Sequence, residues 1–254
     1  MNKIVTVTNK SLALKLKEKE VTLLYPLSSY CTGYEEYFDI NEVDDFCLVN
    51  RILNDDDLDN LEKILKNSNI KGIVFDDLGL IQIIKDMPIV KILLLDHIAC
   101  STGSINYYLD YVDSVVISND LTKEEIQNIT LNAKKKVVIN VFGLKTLMYS
   151  RRMLVSNYEI YHDLPFKNGI NASIDSKKFK IIENKFGTKF YAYPYYNALE
   201  LLDLSNVLYF WYDPILLDDD KIMDIVFNNN IKNIETDEIF LNKKTVYKVG
   251  DLDA

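Results

Sequence analysis

Short apolar and β-branched runs alternate with amphipathic stretches along most of the chain. The runs at 4–7, 21–25, 46–50, 72–75, 91–95, 114–117, 137–141 and 207–211 read as strands. Several, such as KILLL from Lys91 and SVVI from Ser114, are continuous and apolar after their first residue, as in parallel strands covered on both faces. Between them, 12–19, 57–66, 80–85, 105–111, 123–133, 198–204 and 221–227 carry apolar residues at helical spacing. Thr122 with Glu125, and Asn197 with Glu200, are spaced as capping boxes that start two of these helices. Repeated β-α units predict a parallel sheet, and eight of them predict a closed (β/α)8 barrel of the TIM type. A doubly wound open sheet is the alternative.

The period breaks once. Residues 143–206 are too long for one crossover helix, and IIENKFGTKFYAY within them holds two strand-like runs around a turn at 184–187. We expect an antiparallel hairpin inserted before the last barrel strand, within a single barrel-like domain spanning 1–254. IFLNKKTVYKVG, from Ile239, reads as a second hairpin or an edge strand.

Composition narrows the classes. With 48% hydrophobic and 26% charged residues, the chain is neither disordered nor collagen-like. A net charge of -9 argues against broad nucleic-acid binding, which needs a basic face. Cys31, Cys47 and Cys100 form no CxxC pair, so no disulfide framework or zinc site is legible. No metal and no cofactor is expected. MNKIVTVTNK lacks the apolar core of a signal peptide, and no charge-free apolar run approaches the roughly 18 residues of a membrane helix. The expectation is a soluble, cytoplasmic protein without a membrane partner.

In parallel α/β folds, chemistry collects at the carboxyl ends of strands. There the sequence places Ser28 and Ser29, Asn50 and Arg51, Asp76 and Asp77, Asp96 and His97, Ser118 to Asp120, Asn140, and Asp213. Asp and Asn at such positions also cap the next helix, so the series maps a face rather than a mechanism. Asp77 and His97 are the acid-base candidates, His97 being equally readable as a loop histidine bonded to backbone. No GxSxG, HExxH, GxxxxGK[ST] or GxGxxG occurs. Asp55 to Asp57 and Asp218 to Asp220 each precede a helix and read as caps rather than metal ligands. Lys134 to Lys136 reads as a solvated helix end.

Only Arg51, Arg151 and Arg152 are arginine among 29 basic residues. The adjacent pair sits in VFGLKTLMYSRRMLVSNY, with Tyr149, Ser150, Asn157 and Tyr158 close by. Planar guanidinium forks there suit an anionic small molecule. Equally, they suit backbone carbonyls that lock the insertion to the barrel. We assign Arg151, Arg152, Tyr149, Ser150 and Asn157, with Arg51 and Asn50, as the expected ligand-binding set.

LMYSRRMLVSNY resembles the signature region of the collagenase-like peptidases, peptidase family U, number thirty-two. LVNRIL at Leu48, GIVFDDLGL at Gly72, VVISNDLT at Val115, KFGTKFYAY at Lys185 and KTVYKVG at Lys244 extend the resemblance in family order. It implies a barrel-like domain of bacterial, cytoplasmic type and a hydrolase acting on peptide. Other members take part in oxygen-independent hydroxylation of RNA or quinone precursors on an iron-sulfur cluster. Many members have a cysteine after the arginine pair; here that position is Met153, and no cysteine follows Cys100. Three cysteines cannot supply a four-cysteine cluster. The expected partners are therefore a small anionic ligand or a peptide. The alternative is a non-catalytic subunit paired with a cluster-bearing relative.

Overall fold

The computed structural model describes residues 2–95, 100–163, 170–174 and 177–243. Chain order is β1 (Lys3–Thr6), α1 (Lys10–Lys17), β2 (Thr22–Pro26), β3 (Phe46–Val49), α2 (Asp55–Lys66), β4 (Gly72–Phe75), α3 (Leu80–Ile84), β5 (Val90–Leu94), α4 (Thr102–Tyr108), β6 (Ser114–Ile117), α5 (Lys123–Asn132) and β7 (Val137–Gly143). There follow β8 (Thr146–Ser150), α6 (Leu154–His162), β9 (Ile170–Ile174), β10 (Lys177–Asn184), β11 (Gly187–Tyr193), β12 (Tyr195–Asn197), β13 (Val207–Asp213), α7 (Asp219–Asn228) and β14 (Thr236–Asp237).

β1 to β7 pair in sequence, all parallel, and β13 joins both β1 and β7. The eight-stranded parallel barrel is thus closed, with helices between its strands. It matches the eight predicted runs. β3, β4, β6 and β7 are buried along their whole length, as their uninterrupted apolar sequences require. Caps also follow the sequence. Thr122 and Glu125 form the reciprocal box of α5, Asp55, Asp56 and Asp57 fill the first turn of α2, and Asp218 caps α7. Lys134 pairs with Asp110 at the solvated end of the barrel.

Three expectations need correction. Residues 198–204 do not form a helix; only one 3-10 turn, Leu199–Leu201, is present. The Asn197–Glu200 capping box is absent. Asn197 Oδ1 accepts from Leu199 N, while Glu200 turns to Lys123 and Asn242. Tertiary partners for the carboxylate replace the local cap. Residues 239–243 form turns rather than a strand, and the rest of the proposed C-terminal hairpin lies outside the described residues, as do Asp96 and His97.

The insertion is larger than a hairpin. The predicted β10–β11 pair, turning at 185–186, is flanked by β8 and β9 in a four-stranded antiparallel sheet. This sheet is fastened to the segment between β2 and β3. Asn184 Nδ2 donates to Tyr37 Oη at 2.9 Å, and Thr32 Oγ1 donates to Asn184 Oδ1 at 3.2 Å. Tyr191 Oη donates to the Gly33 carbonyl at 2.7 Å. Gly33 has φ +89°, and a Cβ there would collide with the Tyr191 hydroxyl and with Lys189 Cδ, so only glycine fits.

Arg51 completes the fastening. Its Nε donates to the Ser29 carbonyl at 2.6 Å, and its two terminal nitrogens grip Asp57 at 3.0 and 2.6 Å. The guanidinium lies 4.4 Å from the Phe186 ring centroid, at the hairpin turn. Hydrogen bonding from Arg51 holds the Asp57 carboxyl below its ordinary value. A group depressed in this way stabilises the fold above its unfolded value, near pH 4, and the contribution is lost as pH falls through the folded value. Asp57→Ala leaves a buried guanidinium half-paired and should cost about 2 kcal/mol in urea unfolding. The difference from wild type should shrink progressively below pH 4.

Candidate functional site

A cavity of about 540 Å³ opens at the carboxyl end of the barrel strands. Its wall is assembled from successive strand ends: Asn50 after β3, Asp76 and Asp77 after β4, Ser118 and Asp120 after β6, Asn140 within β7, and Trp211 and Asp213 on β13. Tyr34 closes one side, and Lys145 and Lys189 reach in from the insertion. The barrel therefore supplies the carboxylates and the inserted sheet supplies the cations.

Hydrogen bonds fix much of this wall. Tyr34 Oη donates to Asp213 Oδ2 at 3.2 Å. Burial and then the Asp213 charge push the Tyr34 phenol well up, so it stays a neutral donor. Lys145 pairs with Asp120. Asn50 Oδ1 accepts from Cys31 Sγ and Thr32 N, each at 2.9 Å. Asp77 Oδ1 accepts from Gly79 N at 2.8 Å, an Asx-type bond that sets the loop into α3.

Two groups in the wall lack such bonds. Lys189 on β11 is 7% exposed and forms no ion pair among the described residues. Asn140 is 9% exposed, and its Oδ1 has no hydrogen-bond partner among the described residues. Buried polar groups normally find partners, and the exceptions commonly mark function.

Of the ligand-binding set read from sequence, Asn50 lines the cavity and so does the acid-base candidate Asp77. Arg51 is held inside the protein by Ser29, Asp57 and Phe186. Tyr149, Ser150, Arg151 and Arg152 lie together at the end of β8 and in the following turn; none of them lines the cavity, though the Tyr149 ring centroid is 6.0 Å from the Lys189 ammonium. Tyr149 Oη donates to the Phe186 carbonyl, and Ser150 Oγ accepts from Arg152 N. Both arginines of the pair are exposed, as is Asn157 on α6. Tyr195 and Tyr196 are buried packing residues.

Sequence reasoning put Asn140 and Asp213 on this face but missed Lys189 and Lys145. One lysine among many, on a strand of the insertion, carries no local signature. The sign of the insertion was the available signal. Between Gly143 and Asn197 there are nine Lys and Arg against four Asp and Glu, in a chain of net charge -9.

Cys31 fits neither a metal nor a nucleophile. Burial drives its thiol well above the ordinary range despite the Lys189 charge nearby, and burial lifts Cys47 to about 12. Among the described residues no group of three or more His, Cys, Asp or Glu is placed to hold a metal ion. Cys31 and Cys47 are fully buried on or beside strands, so these cysteines do not fit an iron-sulfur cluster. No described helix is long and apolar enough to cross a membrane.

The closed parallel barrel and its polar carboxyl-end mouth define a TIM-type (β/α)8 protein. Within that class, the chain belongs to Peptidase family U32, whose profile matches residues 35–184, more than half of its length. The crystal structure of the Bacillus cereus spore cortex-lytic enzyme SleL is similar at 10% identity and a TM-score of 0.43, over 93% of this chain and 74% of that one. No curated protein matches.

Native alkylation tests the thiol assignment. Iodoacetamide at pH 8 should modify Cys100 in the folded protein and spare Cys31 and Cys47, with all three reacting in urea, as read by intact mass.

Proposed function

We propose that this Peptidase family U32 protein takes the anionic group of a small molecule or peptide into the barrel mouth, with Lys189 as the anchor. Hydrolysis of a bound peptide is the reaction class that family membership suggests. The single observation that carries the reading is the Lys189 ammonium, buried against the cavity without a protein counter-ion among the described residues. A buried ammonium without a counter-ion gains directly from a ligand carboxylate. Asp76 and Asp213 line the same cavity as Lys189.

In this reading Arg151 and Arg152 are rim cations. They accelerate encounter with an anion rather than hold it.

A second reading has one observation behind it. None of the residues of α6 is buried, and Ile160 and Tyr161 are 82% and 83% exposed. An exposed apolar helix of this kind suits a related protein subunit. If that subunit is the physiological partner, Ile160→Glu combined with Tyr161→Glu should abolish co-purification and leave anion binding intact.

The anchor is tested by thermal shift and calorimetry with propionate, alanylalanine and inorganic phosphate. Lys189→Met should lose at least tenfold in affinity for any probe that binds wild type, with an unchanged far-ultraviolet spectrum. Lys189→Arg should retain part of it. Arg151→Ala should slow association at low salt and leave the dissociation rate unchanged.

A further inference from the structure

The barrel mouth holds two unlike recognition groups. One is the Lys189 ammonium, which takes an anion. The other is Asn140 Oδ1, a carbonyl acceptor nine-tenths buried, lining the same cavity and without a partner among the described residues. An acceptor so placed is satisfied only by a donor that enters the cavity. The described cavity lining holds four Asp, at 76, 77, 120 and 213, against Lys145 and Lys189, and that balance favours a donor that is itself positively charged. The same balance disfavours a dianion, which would gain Lys189 and meet the acidic wall opposite.

We infer that the ligand is a small zwitterion, a free amino acid or a short peptide, with its ammonium on Asn140 Oδ1 and its carboxylate on Lys189. This rests on the reading of Lys189 as anion anchor and adds the second pole. The cavity, about 540 Å³, is within the ~300–1,000 Å³ usual for small-molecule sites. Asp213 is kept in place by Tyr34, so the acidic side of the field is set before the ligand arrives. The residues of the two poles come from different parts of the chain, Asn140 from β7 and Lys189 from β11. A ligand spanning them touches both barrel and insertion.

The test is calorimetry on the full chain with leucine, alanylalanine, the N-acetyl form of each, propionate and inorganic phosphate. A zwitterion should bind, leucine if the natural ligand is an amino acid and alanylalanine if it is a peptide. N-acetylation, which keeps the carboxylate and removes the ammonium, should weaken binding about tenfold or more. Asn140→Leu should erase that discrimination and leave propionate unchanged, and Lys189→Met should weaken every probe. If Asn140→Leu fails to fold, Asn140→Ser and the wild-type preference for the free over the acetylated form decide the matter. Equal affinity for the zwitterion that binds, leucine or alanylalanine, and its N-acetyl form, or tighter binding of phosphate, would overturn the zwitterion and leave the anion anchor standing. Zwitterion binding that Lys189→Met does not change, or no binding by any probe, would overturn both.

Discussion

Everything at the mouth depends on the parallel ladder between β7 and β13. It runs from Val137 opposite Val207 to Gly143 opposite Asp213, and it turns an open sheet into a closed ring. Closure brings strand ends that are far apart in sequence to one rim. Without it, Asn140 on β7 and Asp213 on β13 would stand at opposite edges of a sheet. The same ladder is where the chain leaves the barrel for the insertion and returns to it. Gly143 permits this. A Cβ at that position would lie 2.7 Å from the Asp213 carbonyl oxygen, so a side chain would push apart the two strands that close the ring.

The insertion is then held at a second place, well away from its roots. Asn184, Phe186 and Tyr191 grip the segment between β2 and β3, and Arg51 is sandwiched between Asp57 and the Phe186 ring. Glu183 ties the inserted elements to one another. Burial opposes its charge, but bonds from Ser156, Thr188 and the N–H groups of Val155 and Ser156 outweigh that and keep its carboxyl low. A sheet fixed at two separated points cannot swing freely over the cavity, so Lys189 is presented in a defined place. Preorganisation of this kind is what lets one buried cation discriminate among ligands.

The barrel was legible because its strands are mostly apolar runs, four of them buried along their whole length. Continuous apolar runs such as SVVI and KILLL, recurring with helices between them, fit little besides a parallel sheet covered on both sides. The inserted hairpin was legible from its turn, and α5 from Thr122 and Glu125. Residues 198–204 misled because apolar spacing says nothing about where a carboxylate finds its partner, and Glu200 found Lys123 and Asn242. The arginine pair misled in a related way. Guanidinium chemistry is readable in sequence, but exposure is not, and the arginine with the most elaborate contacts is the solitary Arg51. Lys189 could not be singled out, because its importance comes from tertiary burial. In β11, Gly187, Thr188 and Lys189 are buried in succession, so even strand alternation gives no hint.

The division of labour across the mouth has a consequence for how such a protein diversifies. The acidic half of the site stands at or just beyond the ends of strands that the barrel needs in order to close. The basic half sits on a sheet joined to that barrel by two chain crossings and a handful of docking contacts. Changes to β8 or β11 can therefore retune which charge the mouth accepts while the ring beneath stays untouched. On the proposal of a two-pole ligand, loss of Lys145 and Lys189 alone would leave a site for simple cations on an unaltered scaffold.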